Sequence, residues 1–286
     1  NIVCGYAGLH DLGYAAFFAI GAYAMGLLNS PVLGSPLYGH RWSFWVVIWF
    51  SALISALLGL VIGAPTLRVR GGYLAIITLG FGEIIPVFIR NLGDVNIEFG
   101  AWKPVQRLNL TGGENGVNPI GRPYLPGVDF DNSAIPWYYL ILIIGAASLW
   151  AMNRMRDSRL GRAWMAIRED ETAADCMGVD PIKTKLLAFA PSTGFAGLAG
   201  ALYAYYVQLV SPSVASAATT SLIIGMAVFG GLGTLWGPVL GAVLLYGLYE
   251  GLRFVGVVYN LVAVGLVIMV FVIYLPRGLA GFRRSA

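Results

Sequence analysis

Apolar residues run along this chain in long blocks, separated by short stretches that carry glycine, proline or charge. A block of about 20 apolar residues is what an α-helix needs to cross the hydrocarbon core of a bilayer. The blocks predict helical spans at 2–28, 44–64, 73–89, 137–152, 186–208, 218–233, 237–252 and 256–274. These eight crossings, with seven and nine as the alternatives, describe an all-α, polytopic transmembrane helical bundle. The count turns on two places. The first run is interrupted by His10 and Asp11, and it either breaks between Gly8 and Gly13 or continues. The glycine-rich stretch 230–237 is either a hinge or a helix junction. The polar loop 90–136 has little periodicity and is read as irregular. Trp137, Tyr138 and Tyr139 stand where a span would meet the interface.

Residues 161–181 break the pattern. Strong helix formers run from Arg162 to Met177, and Gly178 with Pro181 reads as a stop signal. Trp164, Ile167, Ala174 and Met177 fall near one face of a helix about four turns long. Arg168, Glu169, Asp170 and Asp175 spread over the other faces. Such a helix is too short and too charged to span, yet it joins two segments that can. It can rest on lipid, dock on a soluble partner, or serve as a solvated connector. Lipid-surface helices usually carry Lys and Arg on the polar face. The mixture with Glu169, Asp170, Glu171 and Asp175 favours docking.

Composition agrees with the blocks. The 286 residues are 58% hydrophobic and 11% charged, with mean hydropathy +0.74. Soluble domains carry about 25% charged residues. The net charge of +4 needs no nucleic-acid partner, because topology accounts for the basic residues. Twelve of the 18 sit on one side of an eight-span arrangement: Arg68, Arg70, Arg154, Arg156, Arg159, Arg162, Arg168, Lys183, Lys185, Arg277, Arg283 and Arg284. Cytoplasmic loops carry the excess of Lys and Arg. The charged loop 154–185 and the C-terminus are therefore expected in the cytoplasm, and the loop 90–136 on the opposite side. The whole chain, 1–286, reads as a single transmembrane domain. Because it starts inside an apolar run without a methionine, further N-terminal helices are expected upstream.

Catalytic chemistry finds no support. A P-loop is absent, and the run from Gly230 to Gly237 has glycines without the lysine a phosphate cradle requires. His10 and His40 are not near a second plausible set of metal ligands, and Cys4 and Cys176 read as inert small residues. Asp11 and Glu83 lie deep in their spans, where ionisable groups are costly and should face the bundle interior or a wet cavity. Two readings stay open for both: lining for the path of a small polar solute, or a structural hydrogen bond between helices. Tyr73 and Thr78 lie in the same segment as Glu83 and could add polar groups to such a path. Gly233, Gly237 and Gly241 repeat at four, the spacing that lets another helix approach closely. Gly194, Gly197, Gly200, Ala201 and Ala204 make a second small face. Each ridge packs within the chain or forms a seam with another subunit.

Several strings resemble a known family. Glu171, Thr172, Ala173 and Ala174 followed by Gly178 resemble the coupling loop of ABC-transporter permeases. The longer string from Gly161 to Glu171 is similar to the same loop of LivM-type permeases, one of the two permease subunits of the branched-chain amino acid importers. So are the strings from Asp11 to Tyr23, from Arg68 to Ile84 and from Thr111 to Gly116, and the closing Pro276, Arg277, Gly278 and Leu279. Around 95–108 the chain departs from the family, so contacts there do not carry over. The resemblance implies an importer permease for branched-chain or other apolar amino acids in a bacterial-type inner membrane. It implies a LivH-type second permease, two cytoplasmic ATPase subunits that bind ATP and Mg, and a periplasmic substrate-binding protein. No cofactor is implied for this chain. The ATPase contact would be made by Gly161, Arg162, Trp164, Arg168, Glu169, Asp170, Glu171, Ala174 and Gly178. The alternatives are a related urea or short-amide importer, and an ATP-independent channel or secondary carrier. A channel leaves the mixed-charge helix without a purpose, and a carrier needs a better coupling-ion site than Asp11 and Glu83.

Overall fold

A computed structural model describes residues 1–9, 11–30, 43–67, 69, 72–93, 95–99, 102–108, 111–121, 123, 130, 133–252, 265–267, 269, 273 and 278. Most of the predicted last span, both histidines and Arg68, Arg70, Arg277, Arg283 and Arg284 fall outside these residues.

Helices dominate, as the apolar blocks predict. They are α1 (Tyr14–Leu28), α2 (Ser43–Thr66), α3 (Gly72–Asn91), α4 (Ile135–Arg156), α5 (Arg159–Glu169), α6 (Glu171–Cys176), α7 (Pro181–Val207), α8 (Ala217–Gly230) and α9 (Gly237–Gly251). Among the described residues, α2, α3, α4 and α7 are long and apolar enough to cross a membrane, so the chain is a multi-pass membrane protein. α1 and α9 have 15 residues and α8 has 14. Fifteen residues reach only about 22 Å at about 1.5 Å per residue, short of a hydrocarbon core about 30 Å thick.

The first apolar run is broken. A π-helical turn, Ile2–Tyr6, is followed by residues 7–9 and 11–13, none of them helical, before α1 begins. The break is stabilised by one local and one long-range bond: Gly13 N–H donates to Asp11 Oδ1 at 2.8 Å, and Leu12 N–H donates to Thr78 Oγ1 at 3.0 Å. The loop read as irregular contains a hairpin, β1 (Val95–Phe99) with β2 (Trp102–Leu108), paired antiparallel with Val95 opposite Leu108 and Phe99 opposite Trp102. Val95, Ile97 and Phe99 alternate at the strand period, but the segment is short and Pro104 argues against a strand on sequence grounds.

Two compact units divide the chain. One comprises Asp11–Ser148 and Phe189–Ala217. Its core is built where α1, α2 and α7 meet through small residues. A Cβ on Gly21 would overlap the Gly197 backbone, so only glycine lets α1 and α7 approach this closely. Ser55 of α2 reaches both helices, its Oγ lying 3.0 Å from Phe17 O and 2.8 Å from Thr193 O. Larger side chains fill the rest: Phe17 meets Phe189 edge-on at 5.5 Å, and Phe44 meets Tyr205 at 4.9 Å. Part of the long loop is tied to this core, with Val117 and Val210 exchanging backbone hydrogen bonds at 2.9 and 3.2 Å.

The other unit comprises Asn1–His10, Leu149–Ala188 and Ala218–Ala286. It contains the charged hairpin α5–α6 and the pair α8–α9, whose contact is centred on Phe229 and Leu245.

Candidate functional site

The charged segment is two helices, not one. Ser158 caps α5, accepting from Gly161 N–H at 3.3 Å. Asp170 then leaves the helical conformation, with φ −155° and ψ 112°, and caps α6 by accepting from Thr172 N–H at 2.8 Å and Ala173 N–H at 3.0 Å. An aspartate side chain that can satisfy the first free N–H groups of a helix competes with helix continuation through its own position. That competition corrects the single four-turn helix read from helix-former content. Glu171 sits in the first turn of α6, where a negative charge is favourable. Gly178 terminates the segment as expected, with φ +85°, and Val179 N–H donates back to Ala174 O at 3.0 Å.

Pro181 opens the next helix, for which Asp180 supplies the cap. Lys183 N–H donates to Asp180 Oδ1 at 3.1 Å, and the Lys183 ammonium lies 3.0 Å from Oδ2. These contacts hold the Asp180 carboxyl below the usual carboxylate range. α7 therefore begins inside the charged loop, five residues ahead of its predicted apolar start at 186.

Trp164, Ile167 and Ala174 are buried and share the inner side of the hairpin, as the amphipathic pattern predicts. Met177 departs from them and is 84% exposed: it is the C-cap residue, beyond the last residue of α6. Trp164 is fully buried, and its indole Nε1–H donates to Thr184 O at 3.0 Å. Lys185 is buried on the same first turns of α7, with its ammonium 2.8 Å from Glu171 Oε2. Arg168 turns toward the N-terminal turn and donates from Nη1 to Gly5 O at 2.5 Å. Arg162, Glu169, Asp170 and Gly178 are exposed. The hairpin is thus apolar beneath, ionic at one edge and charged on its free surface. Thr184 and Lys185 are the residues sequence reasoning missed. The signal was a lysine directly before an apolar run, which reads equally well as a topology charge.

The four residues considered for a solute path do not converge. Asp11 and Thr78 are brought together and buried at the break before α1, where both stabilise the chain's own backbone. Tyr73 and Glu83 lie on exposed faces of α3 instead. The glycines at spacing four also separate. Gly237 and Gly241 belong to α9 and pack against the end of α8, where a Cβ on Gly241 would overlap Met226 O. Gly233 stands in the turn between the helices with φ +80°, and its N–H donates to Asn1 Oδ1 at 2.9 Å. Among the described residues, no group of three or more His, Cys, Asp or Glu could hold a metal ion.

The family described as "Branched-chain amino acid transport system / permease component" matches residues 1–274. The chain is 36% identical over 306 residues to the high-affinity branched-chain amino acid transport system permease protein LivM of Salmonella typhimurium, covering 99% of this chain and 66% of that protein. It is 35% identical to the LivM of Escherichia coli K12, over the same shares. The permease protein LivH of the same organism is 28% identical over 151 residues, 52% of this chain and 47% of its own length. The chain thus spans just under two thirds of the length of these two LivM proteins. No solved structure matches it.

Proposed function

This chain belongs to the branched-chain amino acid transport permease family, and on that premise we propose that it is a permease subunit of an ABC importer for branched-chain or other apolar amino acids. It carries out no chemistry of its own. Its partners are a LivH-type second permease, two cytoplasmic ATPase subunits that bind ATP and Mg, and a periplasmic substrate-binding protein. Counting the shorter α1, α8 and α9, accommodated by local thinning of the bilayer, with the four long helices and the apolar run 256–274, the bundle crosses the inner membrane eight times with its C-terminus in the cytoplasm. ATP binding closes the ATPase pair, the α5–α6 hairpin moves with it, and the transmembrane cavity changes the side on which it is open.

The observation that carries this reading is the α5–α6 hairpin itself. It links two membrane-length helices, α4 and α7, and presents Arg162, Glu169 and Asp170 on its free surface. A charged surface of both signs suits a protein partner better than a lipid surface. The positive-inside distribution favours the cytoplasm for the same hairpin, where an ATPase is available. Similarity to both LivM and LivH supports a pair of related permeases. The names of these relatives favour branched-chain amino acids over urea or short amides.

The test is uptake by proteoliposomes holding this chain with its neighbouring second permease and ATPases. With the cognate binding protein outside and ATP inside, labelled leucine, isoleucine or valine should accumulate. Accumulation without ATP would overturn the importer reading, and accumulation of urea alone would overturn the substrate class.

A further inference from the structure

We propose that Glu171 is a positioning residue that acts inward through Lys185, clamping the α5–α6 hairpin to the first turns of α7, and that it is not itself a contact to the ATPase. The proposal rests on the coupling role given to the hairpin above, and it reassigns one of the residues that the resemblance places in the ATPase contact.

Lys185 is the key to the assignment. Its side chain is only 6% exposed, so it cannot reach a partner protein, and its ammonium lies 2.8 Å from Glu171 Oε2. A buried ammonium needs an opposite charge close by, and Glu171 supplies it. The Glu171 side chain is 30% exposed, lower than a docking charge on an open surface would be. One residue earlier, Thr184 O accepts from the Trp164 indole of the other helix of the hairpin. Successive residues of α7, Thr184 and Lys185, thereby hold α5 and α6 separately. A push on the hairpin's free surface is passed into α7 through these two contacts, rather than through the chain connection at 177–180 alone. Gly178 lies in that connection with φ +85°, a short non-helical link that would otherwise let the hairpin swing.

The chemistry predicts a pattern that a docking role cannot produce. Lys185→Met keeps the volume of the buried side chain, removes its charge and changes nothing on the hairpin's surface. It should lower amino acid transported per ATP hydrolysed by about tenfold or more, and Glu171→Gln should do the same, because either change unpairs a buried contact. ATPase subunits should still co-purify with both variants. Glu171→Lys should abolish ATP-linked uptake, and Glu171→Lys with Lys185→Glu should restore it by re-forming the pair with the charges exchanged. A merely structural role would lower the amount of assembled complex without changing the ratio of transport to hydrolysis.

Two results would overturn the proposal: normal coupling by Lys185→Met at normal complex levels, or loss of the ATPases from Glu171→Gln while Lys185→Met retains them. The second identifies Glu171 as a direct contact. If the double exchange fails to assemble, Lys185→Met and Glu171→Gln decide alone. The wild-type complex is the control for the importer reading: absence of ATP-linked uptake there strikes that reading, whereas a coupled wild type with wrongly behaving variants strikes only this inference.

Discussion

The junction of α1, α2 and α7 and the α5–α6 hairpin are both well packed, but by opposite means. The junction uses the absence of side chains: Gly21 against Gly197, with Ser55 as its small polar tie. The hairpin uses side chains with polar ends: caps from Ser158 and Asp170, the Trp164 indole and the Glu171–Lys185 pair. The difference comes from the solvent. In lipid, apolar side chains gain little by leaving one hydrocarbon environment for another, so close backbone approach and dispersion must hold helices together. At the aqueous edge, burial of apolar surface from water is available, but short helices expose unpaired backbone groups that need caps.

Four substitutions test this contrast. Trp164→Ala should have the largest effect, about 3–5 kcal/mol of lost packing, together with loss of the indole hydrogen bond to the Thr184 carbonyl. The hairpin should open, and tryptic cleavage after Arg162 and Arg168 in the solubilised complex should accelerate strongly. Cleavage at the wild-type rate would mean that the tryptophan does not hold the hairpin. Gly21→Leu should cost about 1–3 kcal/mol by forcing α1 from α7, at the upper end because the obstacle is backbone. Thermal unfolding in detergent reads this out, and an unchanged midpoint would remove the close-approach account of the junction.

Asp170→Ala should cost about 1 kcal/mol through loss of the cap. Amide hydrogen exchange at Thr172 and Ala173 should rise while α7 is unaffected. Protection equal to wild type would mean that α6 does not depend on this cap. Arg162→Glu should move stability least, by no more than about 0.5 kcal/mol, because the side chain is exposed. It should nonetheless weaken retention of the ATPases in a pull-down. A lower melting midpoint with full retention would reverse the assignment of the hairpin's outer surface.

The same contrast explains which features are legible in the sequence. The long spans are legible because their whole length is apolar: 44–64 lies within α2 and 137–152 forms the centre of α4. The stop at Gly178 is legible from one residue, since only a positive φ ends the segment there. The break before α1 is visible as an option, and the contact between Leu12 and Thr78, 66 positions apart, accompanies its realised form. The kink between α5 and α6 is hidden because Asp170 reads as both a tolerable helix residue and a cap.

Solute-path residues are the least legible. Asp11 and Glu83 look equivalent in sequence, as single carboxylates within apolar runs. In the fold, Asp11 is buried against its own backbone and Glu83 lies on an exposed face of α3. Burial depends on which neighbours cover a residue, and period alone does not name them.

From the sequence alone came the membrane class, the family resemblance, the charged segment's place between two spans and the apolar face on which Trp164, Ile167 and Ala174, though not Met177, are buried. Those properties are local: a run of apolar residues, a period of 3.6 and a cap each act over a few turns. Tertiary structure decided that Thr184 and Lys185 receive the hairpin, that Ser55 bridges α1 and α7, and that Gly233 leaves the ridge of Gly237 and Gly241. Each of these depends on which helix lies beside which, and polar partners far apart in the chain become a requirement only when burial removes water as their alternative.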